Sequence, residues 1–192
     1  MDCTADLPEK LSSFLTTPPP YIAWEGDSRV PAAVLVPFVC HEGSWHLLFT
    51  KRTSEVAKHR GEISFPGGAM ELDDGDLIET AIRESCEEIG LARNFFRVIG
   101  TLTPVPTISN FCVLPVVAIV EWPQILQINY QEVEKILLFP VDYLLQPDNC
   151  YEDEYFYEPG KFRKVIHYKD YQGEHLWGLT AAIALKALEC LK

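Results

Sequence analysis

Residues 65–91 read FPGGAMELDDGDLIETAIRESCEEIGL, and this stretch decides the fold. Pro66-Gly67-Gly68 opens it as a tight turn in which backbone can approach a ligand closely. Asp73-Asp74-Gly75 is a loop. Asp76 is placed to cap a helix, with Glu79 three residues on to complete a capping box. Ile78, Ala81, Ile82, Ser85 and Ile89 recur at helical spacing and give the helix a small, mostly apolar face to bury. Gly90 is the stop, because the left-handed conformation that ends helices suits glycine best.

The adjoining face carries the chemistry. Glu84, Glu87 and Glu88 stand at i, i+3 and i+4, so their carboxylates project from one side of the helix. Like charges so placed destabilise an isolated helix by roughly a few tenths of a kcal/mol per pair. A cation among them reverses the sign. Mg²⁺ and Mn²⁺ are hard ions that prefer oxygen ligands and retain water, which suits phosphate chemistry. Arg83 lies one turn before Glu87, in position to hold that carboxylate. A run of acids is commonly a solvated helix face. The Gly-Gly turn before the helix, the arginine inside the cluster and the glycine directly after it shift the reading to a metal site.

Working outward, the chain has 192 residues, is 47% hydrophobic and carries a formal net charge of −12. That is enough apolar material for one full core. The charge argues against a nucleic-acid or anionic-membrane partner. An acidic protein acting on an anion needs metal ions or a local basic patch. Lys51, Arg52, Lys58, His59 and Arg60 form such a patch and run straight into the Gly-Gly turn, so they are expected to face the same cleft as the glutamates. The six cysteines are scattered with no C-x-x-C pair, which predicts reduced thiols. Cys86, inside the helix, reads as a small core-edge filler rather than a nucleophile. No signal peptide, membrane-length apolar run or peroxisomal ending is visible, and a cytoplasmic location is the expectation. A homodimer is left open.

In chain order, residues 1–20 read as an N-terminal helix (7–15) running into the extended connector Pro18-Pro19-Pro20, and 21–192 as a single domain. Strands are predicted at 30–40 and 45–52, paired across the turn His41-Glu42-Gly43, and at 96–104 and 112–122, the last being central because it is almost continuously apolar. Residues 104–110 form a loop, 132–140 become strand-like, and 141–145 make a helical turn. A hairpin spans 151–157 and 161–168, and a closing helix covers 179–191 with Leu179, Ile183, Ala187 and Leu188 inward. Strands and helices interleave without a regular βαβ period. The fold class is therefore α/β of the α+β mixed kind, a mixed β-sheet sandwiched between helices.

The run Arg83-Glu84-Ser85-Cys86-Glu87-Glu88-Ile89-Gly90-Leu91 resembles the second half of the Nudix box: Arg-Glu, an apolar residue, any residue, Glu-Glu, any residue, Gly and an apolar residue. The first half departs from it. Gly75 stands where the box has glutamate, and Gly67-Gly68 lies one residue further upstream, so Asp74 or Asp76 is left near the position of the missing acid. Upstream, Leu48, Thr50, Arg52, Gly61 and Phe65-Pro66-Gly67-Gly68 are in register with the pattern of Nudix coenzyme A pyrophosphatases, with departures at Phe49, Thr53 and Ala57, where an arginine is expected. Ser109-Asn110-Phe111, Leu114-Pro115-Val116-Val117, Phe139-Pro140 and Trp177-Gly178-Leu179-Thr180-Ala181 resemble later landmarks of that subfamily.

The resemblance implies a Nudix-like fold and hydrolysis of a nucleoside diphosphate linked to another moiety, with Mg²⁺ or Mn²⁺ as cofactor. It implies metal ligation by Glu84, Glu87, Glu88, the Gly67 carbonyl and Glu132, with Glu134 as second choice. Glu84 or Glu88 would act on the water, assisted by Arg83. Arg52, Lys58, His59, Arg60, Gly67 and Gly68 would bind substrate. The implied substrate is coenzyme A or a derivative, cut to adenosine 3′,5′-bisphosphate and 4′-phosphopantetheine. ADP-ribose, NADH or a nucleoside triphosphate is the alternative, and a non-catalytic nucleotide-sensing module a third reading, against which all three glutamates are present.

Overall fold

The computed structural model describes residues 1–3, 7–15, 28–53, 61–158 and 161–191. In chain order come α1 (Leu7–Phe14), β1 (Val30–His41), β2 (Ser44–Arg52), β3 (Ile63–Ser64), β4 (Gly67–Ala69), α2 (Leu77–Ile89), β5 (Phe96–Thr101), β6 (Val105–Pro106), β7 (Phe111–Val120), β8 (Val133–Pro140), α3 (Val141–Leu145), β9 (Cys150–Glu158), β10 (Lys161–Tyr168) and α4 (Gly178–Ala187). The two-residue link between β1 and β2 is Glu42-Gly43, both left-handed, at φ 48° and 77°. That backbone twist matches the twist of the strands it joins.

β1 organises the sheet. It pairs antiparallel with β2 (Phe38↔Leu47) and with β4 (Ala33↔Gly68), and parallel with β7 from Val30↔Phe111 to Val39↔Val120. β7 pairs in turn with β5 and β6, while β2 carries β8 and β3. The order β3-β2-β1-β7-β5 is mixed, as expected, and β7 is central. β6 is a departure: the segment read as a plain loop supplies two residues that pair with the start of β7. β9 and β10 form a separate two-stranded sheet. The closing helix stops at Ala187 and gives way to a 3-10 turn at Glu189–Leu191.

Period-two alternation decides which helix covers which face. Ala33 and Leu35 of β1 and Leu114, Val116 and Ala118 of β7 meet Leu77 and Ala81 of α2. The intervening Val36, Phe38 and Val117 point the other way, into a core with Leu7 and Leu11 of α1, Val141 and Leu144 of α3, and Ala181, Ile183 and Ala184 of α4. The sheet is thus covered on both sides. Among the described residues no helix is long and apolar enough to cross a membrane.

The cysteine expectation is corrected by a disulfide between Cys3 and Cys40, whose Cα atoms lie 5.9 Å apart. Trp45 N–H donates to Met1 O at 2.9 Å and Cys3 N–H to Gly43 O at 3.1 Å. This lays the first residues along the β1–β2 hairpin and brings Cys3 alongside Cys40. A separation of 37 residues carries no local motif, so only tertiary pairing exposes the bridge. Cys86, Cys112 and Cys150 are free thiols. The cysteine pattern therefore carries no argument for a reducing compartment.

Because Leu11 is fully buried in the main core, Leu11→Ala should cost about 2–5 kcal/mol. Urea denaturation measures this directly. An unchanged midpoint would mean that α1 is an appendage rather than part of the core.

Candidate active site

The turn before α2 is fixed by an aromatic column. Phe65 is buried and stacks on Phe49 at 4.5 Å between ring centroids, and Phe49 meets Phe139 edge-on at 5.3 Å. Leu35 N–H donates to Pro66 O at 2.8 Å, which sets β4 against β1. Neither glycine of β4 tolerates a side chain. A Cβ on Gly67 would lie 2.3 Å from Ala33 O, and one on Gly68 would lie 2.4 Å from Oε1 of Glu84. Their absence of side chains is what lets β4 lie against both β1 and the acidic face of α2.

Asp76 caps α2, its Oδ1 accepting from Ile78 N–H at 2.9 Å and Glu79 N–H at 2.8 Å. Glu79 turns away to pair with Arg93, so the cap is Asp76 rather than a full capping box. Gly90 ends the helix in the left-handed conformation, at φ 70°. Ile78 is only half-buried, whereas Leu77 and Thr80 join Ala81, Ile82, Ser85 and Ile89 on the buried side.

The missing first acid is resolved by Arg83. Its Nε donates to Asp74 Oδ1 at 2.8 Å and its Nη2 to Asp74 Oδ2 at 3.0 Å, a bidentate pair. Nη1 reaches Glu84 at 3.0 Å and Glu87 at 3.1 Å, and Nη2 also donates to Ala69 O at 3.2 Å. Thr80 Oγ1 and Glu71 N–H donate to Asp74 as well, each at 2.9 Å. Arg83 foremost holds the Asp74 carboxyl well below the usual carboxylate range. Arg83 is therefore a clamp joining the loop, β4 and two of the three glutamates.

Those three glutamates are unequal. Glu87 is exposed at the rim. Glu84 is largely buried, and burial raises its pKa against the opposing pull of Arg83, with Glu87 and Glu132 adding to the rise. Glu88 is 3% exposed. Its pKa is pushed up to about 8, first by burial and then by Glu84 and Glu132, against the pull of Arg52 and the Gly67 N–H. Its Oε2 is buried with no hydrogen-bond partner among the described residues.

Glu132 reaches this cluster because the preceding loop docks on the end of α2. Asn129 N–H donates to Glu88 O at 3.0 Å and Gln127 N–H to Ile89 O at 3.2 Å. Asn129 O accepts from Glu132 N–H at 3.0 Å, and Asn129 Nδ2 donates to Glu132 Oε1 at 3.3 Å. Gly90 is needed here too, since a Cβ would lie 2.5 Å from Gln127 O. Glu134 is exposed and influences Lys135 instead. Asn129 is a positioning residue outside every motif of the sequence, its one local signal being the turn propensity of an asparagine three residues before an acid.

Of the basic patch, Arg52 stands beside Glu88. Lys51 is corrected: adjacent residues of a strand point to opposite faces, and its Nζ pairs with Glu174 at 3.1 Å, together with Lys135 at 2.6 Å. Lys58, His59 and Arg60, and Ala57 with them, lie outside the described residues. Burial and the neighbouring Glu87 raise the Cys86 thiol pKa, which disfavours a thiolate and fits a filler role.

Among the described residues no three acidic, imidazole or thiol groups are already drawn together as a cation cage. The donors nonetheless fit a hard divalent ion: carboxylates that raise one another's pKa, an unpartnered buried Oε2 on Glu88, and a Gly68 that leaves the face of Glu84 clear.

Residues 29–158 match the family model of the NUDIX domain. The chain is a Nudix hydrolase. Among its relatives, Nudix hydrolase NudL of Pectobacterium atrosepticum, described as uncharacterized, is 37% identical over 79% of this chain and 78% of its own length. The human mitochondrial coenzyme A diphosphatase NUDT8 is 39% identical over 83% of this chain and 69% of its own. A MutT/nudix family crystal structure from Enterococcus faecalis superimposes with a TM-score of 0.55 at 14% identity, covering 97% of this chain and 69% of that one, a likeness of fold. Nudix hydrolases generally use divalent metals.

Two outcomes test this geometry. Asp74→Asn should weaken charge-assisted bonds to Arg83 and cost about 1.5–3 kcal/mol, read by chemical denaturation, with a loss of turnover as Arg83 releases Glu84. For Glu88, the metal-free folded protein keeps its proton up to about pH 8, whereas the unfolded chain releases it near the ordinary glutamate value of 4.5. Stability from neutral Glu88 is thus full below the unfolded value and lost as pH rises through about 8. E88Q in chelator should therefore flatten the fall in Tm between pH 5 and pH 9, and a parallel fall in both proteins would refute the buried-carboxylate account.

Proposed function

We propose that this Nudix hydrolase cleaves the phosphoanhydride of coenzyme A or a derivative, giving adenosine 3′,5′-bisphosphate and 4′-phosphopantetheine. The observation that carries the hydrolytic reading is the convergence of Glu84, Glu88 and Glu132 beside Arg52. The substrate rests on the register of Thr50, Arg52, Gly61 and Phe65 with the coenzyme A pattern and on the likeness to NUDT8.

Mg²⁺ or Mn²⁺ would be held by Glu84, Glu87, Glu88 and Glu132 with the Gly67 carbonyl, and would supply neutralisation of the phosphoanhydride charge and a more acidic bound water. Arg83 donates to both Glu84 and Glu87 and so orients them. Glu84 or Glu88 would take up the proton released by the attacking water, Glu88 once the bound cation has displaced the proton that burial favours on it. Arg52 presents a guanidinium that pairs with phosphate oxygens as the substrate enters, joined in this reading by Lys58, His59 and Arg60. Gly67 and Gly68 would meet the substrate with backbone alone, their missing side chains letting the turn lie against β1 and Glu84. A small nucleotide, not a nucleic acid, suits the net charge of −12.

Hydrolysis of ADP-ribose, NADH or a nucleoside triphosphate is the second reading, favoured by Ala57, which removes one cation from the segment leading to the turn. A substrate panel with Mg²⁺ or Mn²⁺ separates the two. Coenzyme A should show a higher kcat/KM than ADP-ribose, NADH or dATP, and inert coenzyme A beside rapid turnover of another nucleotide would promote the second reading. Arg52→Ala should lower kcat/KM for coenzyme A by about ten- to a hundredfold, the worth of a charged hydrogen bond. A smaller effect on 3′-dephospho-coenzyme A would place Arg52 on the 3′-phosphate, and an equal effect would place it on the diphosphate.

A further inference from the structure

β10 and the segment leading into α4 carry a second group of titratable side chains that the hydrolytic site does not use. Tyr168 N–H donates to Leu176 O at 2.8 Å, and His167 forms a β-bridge with Trp177. This backbone pairing, closed by the Tyr171–Glu174 bridge, puts His175 two residues from Trp177 on the same face, diagonally across from His167. Nδ1 of His167 and Nε2 of His175 lie 3.0 Å apart. Nδ1 of His175 lies 2.8 Å from Oδ1 of Asp170. The His167 ring is stacked on Tyr151 at 5.4 Å and on Trp177 at 5.7 Å, each at 17°. His175 and Asp170 are exposed, so the group is open to solvent.

We propose that His167 and His175 form a two-nitrogen site for a borderline transition-metal ion such as Zn²⁺, Ni²⁺ or Cu²⁺, with Asp170 as its supporting carboxylate. Asp170 accepts from His175 Nδ1–H, which fixes that proton and leaves the Nε2 lone pair directed at His167. In the metal-free protein His167 Nδ1–H donates to that lone pair. When an ion enters, the His167 proton moves to Nε2 through solvent and the ion takes its place between the two lone pairs. An ion bound at about 2.0–2.1 Å in tetrahedral geometry sets its two nitrogens roughly 3.3 Å apart, so the rings need to part only slightly. Water completes the coordination. The aromatic stacking holds the His167 ring in place before the ion arrives. Imidazole selects Zn²⁺, Cu²⁺ and Ni²⁺, whereas the carboxylates of the α2 site select hard ions, so the two sites divide metals by donor chemistry. A bound ion would also tie the 170–175 turn to β10, and that turn carries Glu174, the partner of Lys51 and Lys135. The proposal is independent of the substrate reading.

The test uses the untagged full chain in excess Mg²⁺, which occupies the carboxylates. Zn²⁺ titrated by calorimetry should bind one site per chain and raise Tm, since an ion that binds only the folded state stabilises it. Asp170→Asn should weaken the affinity about 10–100-fold. H167N and H175Q, which keep a nitrogen at the position of the lost one, should weaken it further, while E84Q/E88Q should leave it unchanged. Cu²⁺ spectra of the parent chain should show coupling to two imidazole nitrogens, a readout that does not depend on the variants folding. Absence of Zn²⁺ binding, binding lost in E84Q/E88Q and kept in H167N and H175Q, or copper coupled to fewer than two imidazoles would overturn the proposal.

Discussion

A carboxylate buried as deeply as that of Glu88 must hold a proton, be paired, or meet a cation, because removing a charge from water costs several kcal/mol even after relaxation. Glu88 cannot escape burial, since it shares α2 with Leu77, Ala81 and Ile89, whose apolar packing against β1 and β7 fixes the helix in place. Arg52 offsets part of the cost, and Glu84 and Glu132 add to it. Folding therefore builds a site in which negative charge is held at high potential, a charge that a divalent ion would relieve. The surrounding structure makes sense as the means of sustaining that arrangement.

Two devices do so. On one side, Arg83 spans Asp74, Ala69, Glu84 and Glu87, so that one guanidinium orients the loop, the Gly-Gly strand and the helix together. On the other, Asn129 joins the carboxyl end of α2 to the start of β8, and so sets the distance of Glu132 from the helix glutamates. Both work through close backbone approach, which is why Gly68 and Gly90 lie where any side chain would collide. The loop and the helix end are coupled, and a change at Asn129 should be felt at Glu88.

Much of this was legible beforehand where the physics is local. The cap at Asp76, the stop at Gly90 and the shared face of Glu84, Glu87 and Glu88 follow from helical periodicity and end chemistry alone. The misreadings have a common cause. Lys51 and Arg52 form one basic patch in the sequence because they are adjacent, yet strand alternation sends them to opposite faces. Cys3 and Cys40 carry no pairing signal in the sequence because their bridge depends on the first residues lying along the β1–β2 hairpin. The choice between Asp74 and Asp76 stayed open because both are short acids before one helix, and only the path of the loop puts one on Arg83 and the other on the helix amides.

The amino-acid sequence by itself determined the acidic helix, the glycine turn that precedes it and the alternating strands that bury it, since each follows from residue spacing within one element. Tertiary structure decided the ranking of the three glutamates, the recruitment of Glu132 over Glu134, the orientation of Arg52 and the meeting of His167 with His175. Those outcomes depend on desolvation and on contacts between segments far apart in the chain. Burial depth and long-range register are properties of the assembled molecule, and no spacing within a single helix or strand encodes them.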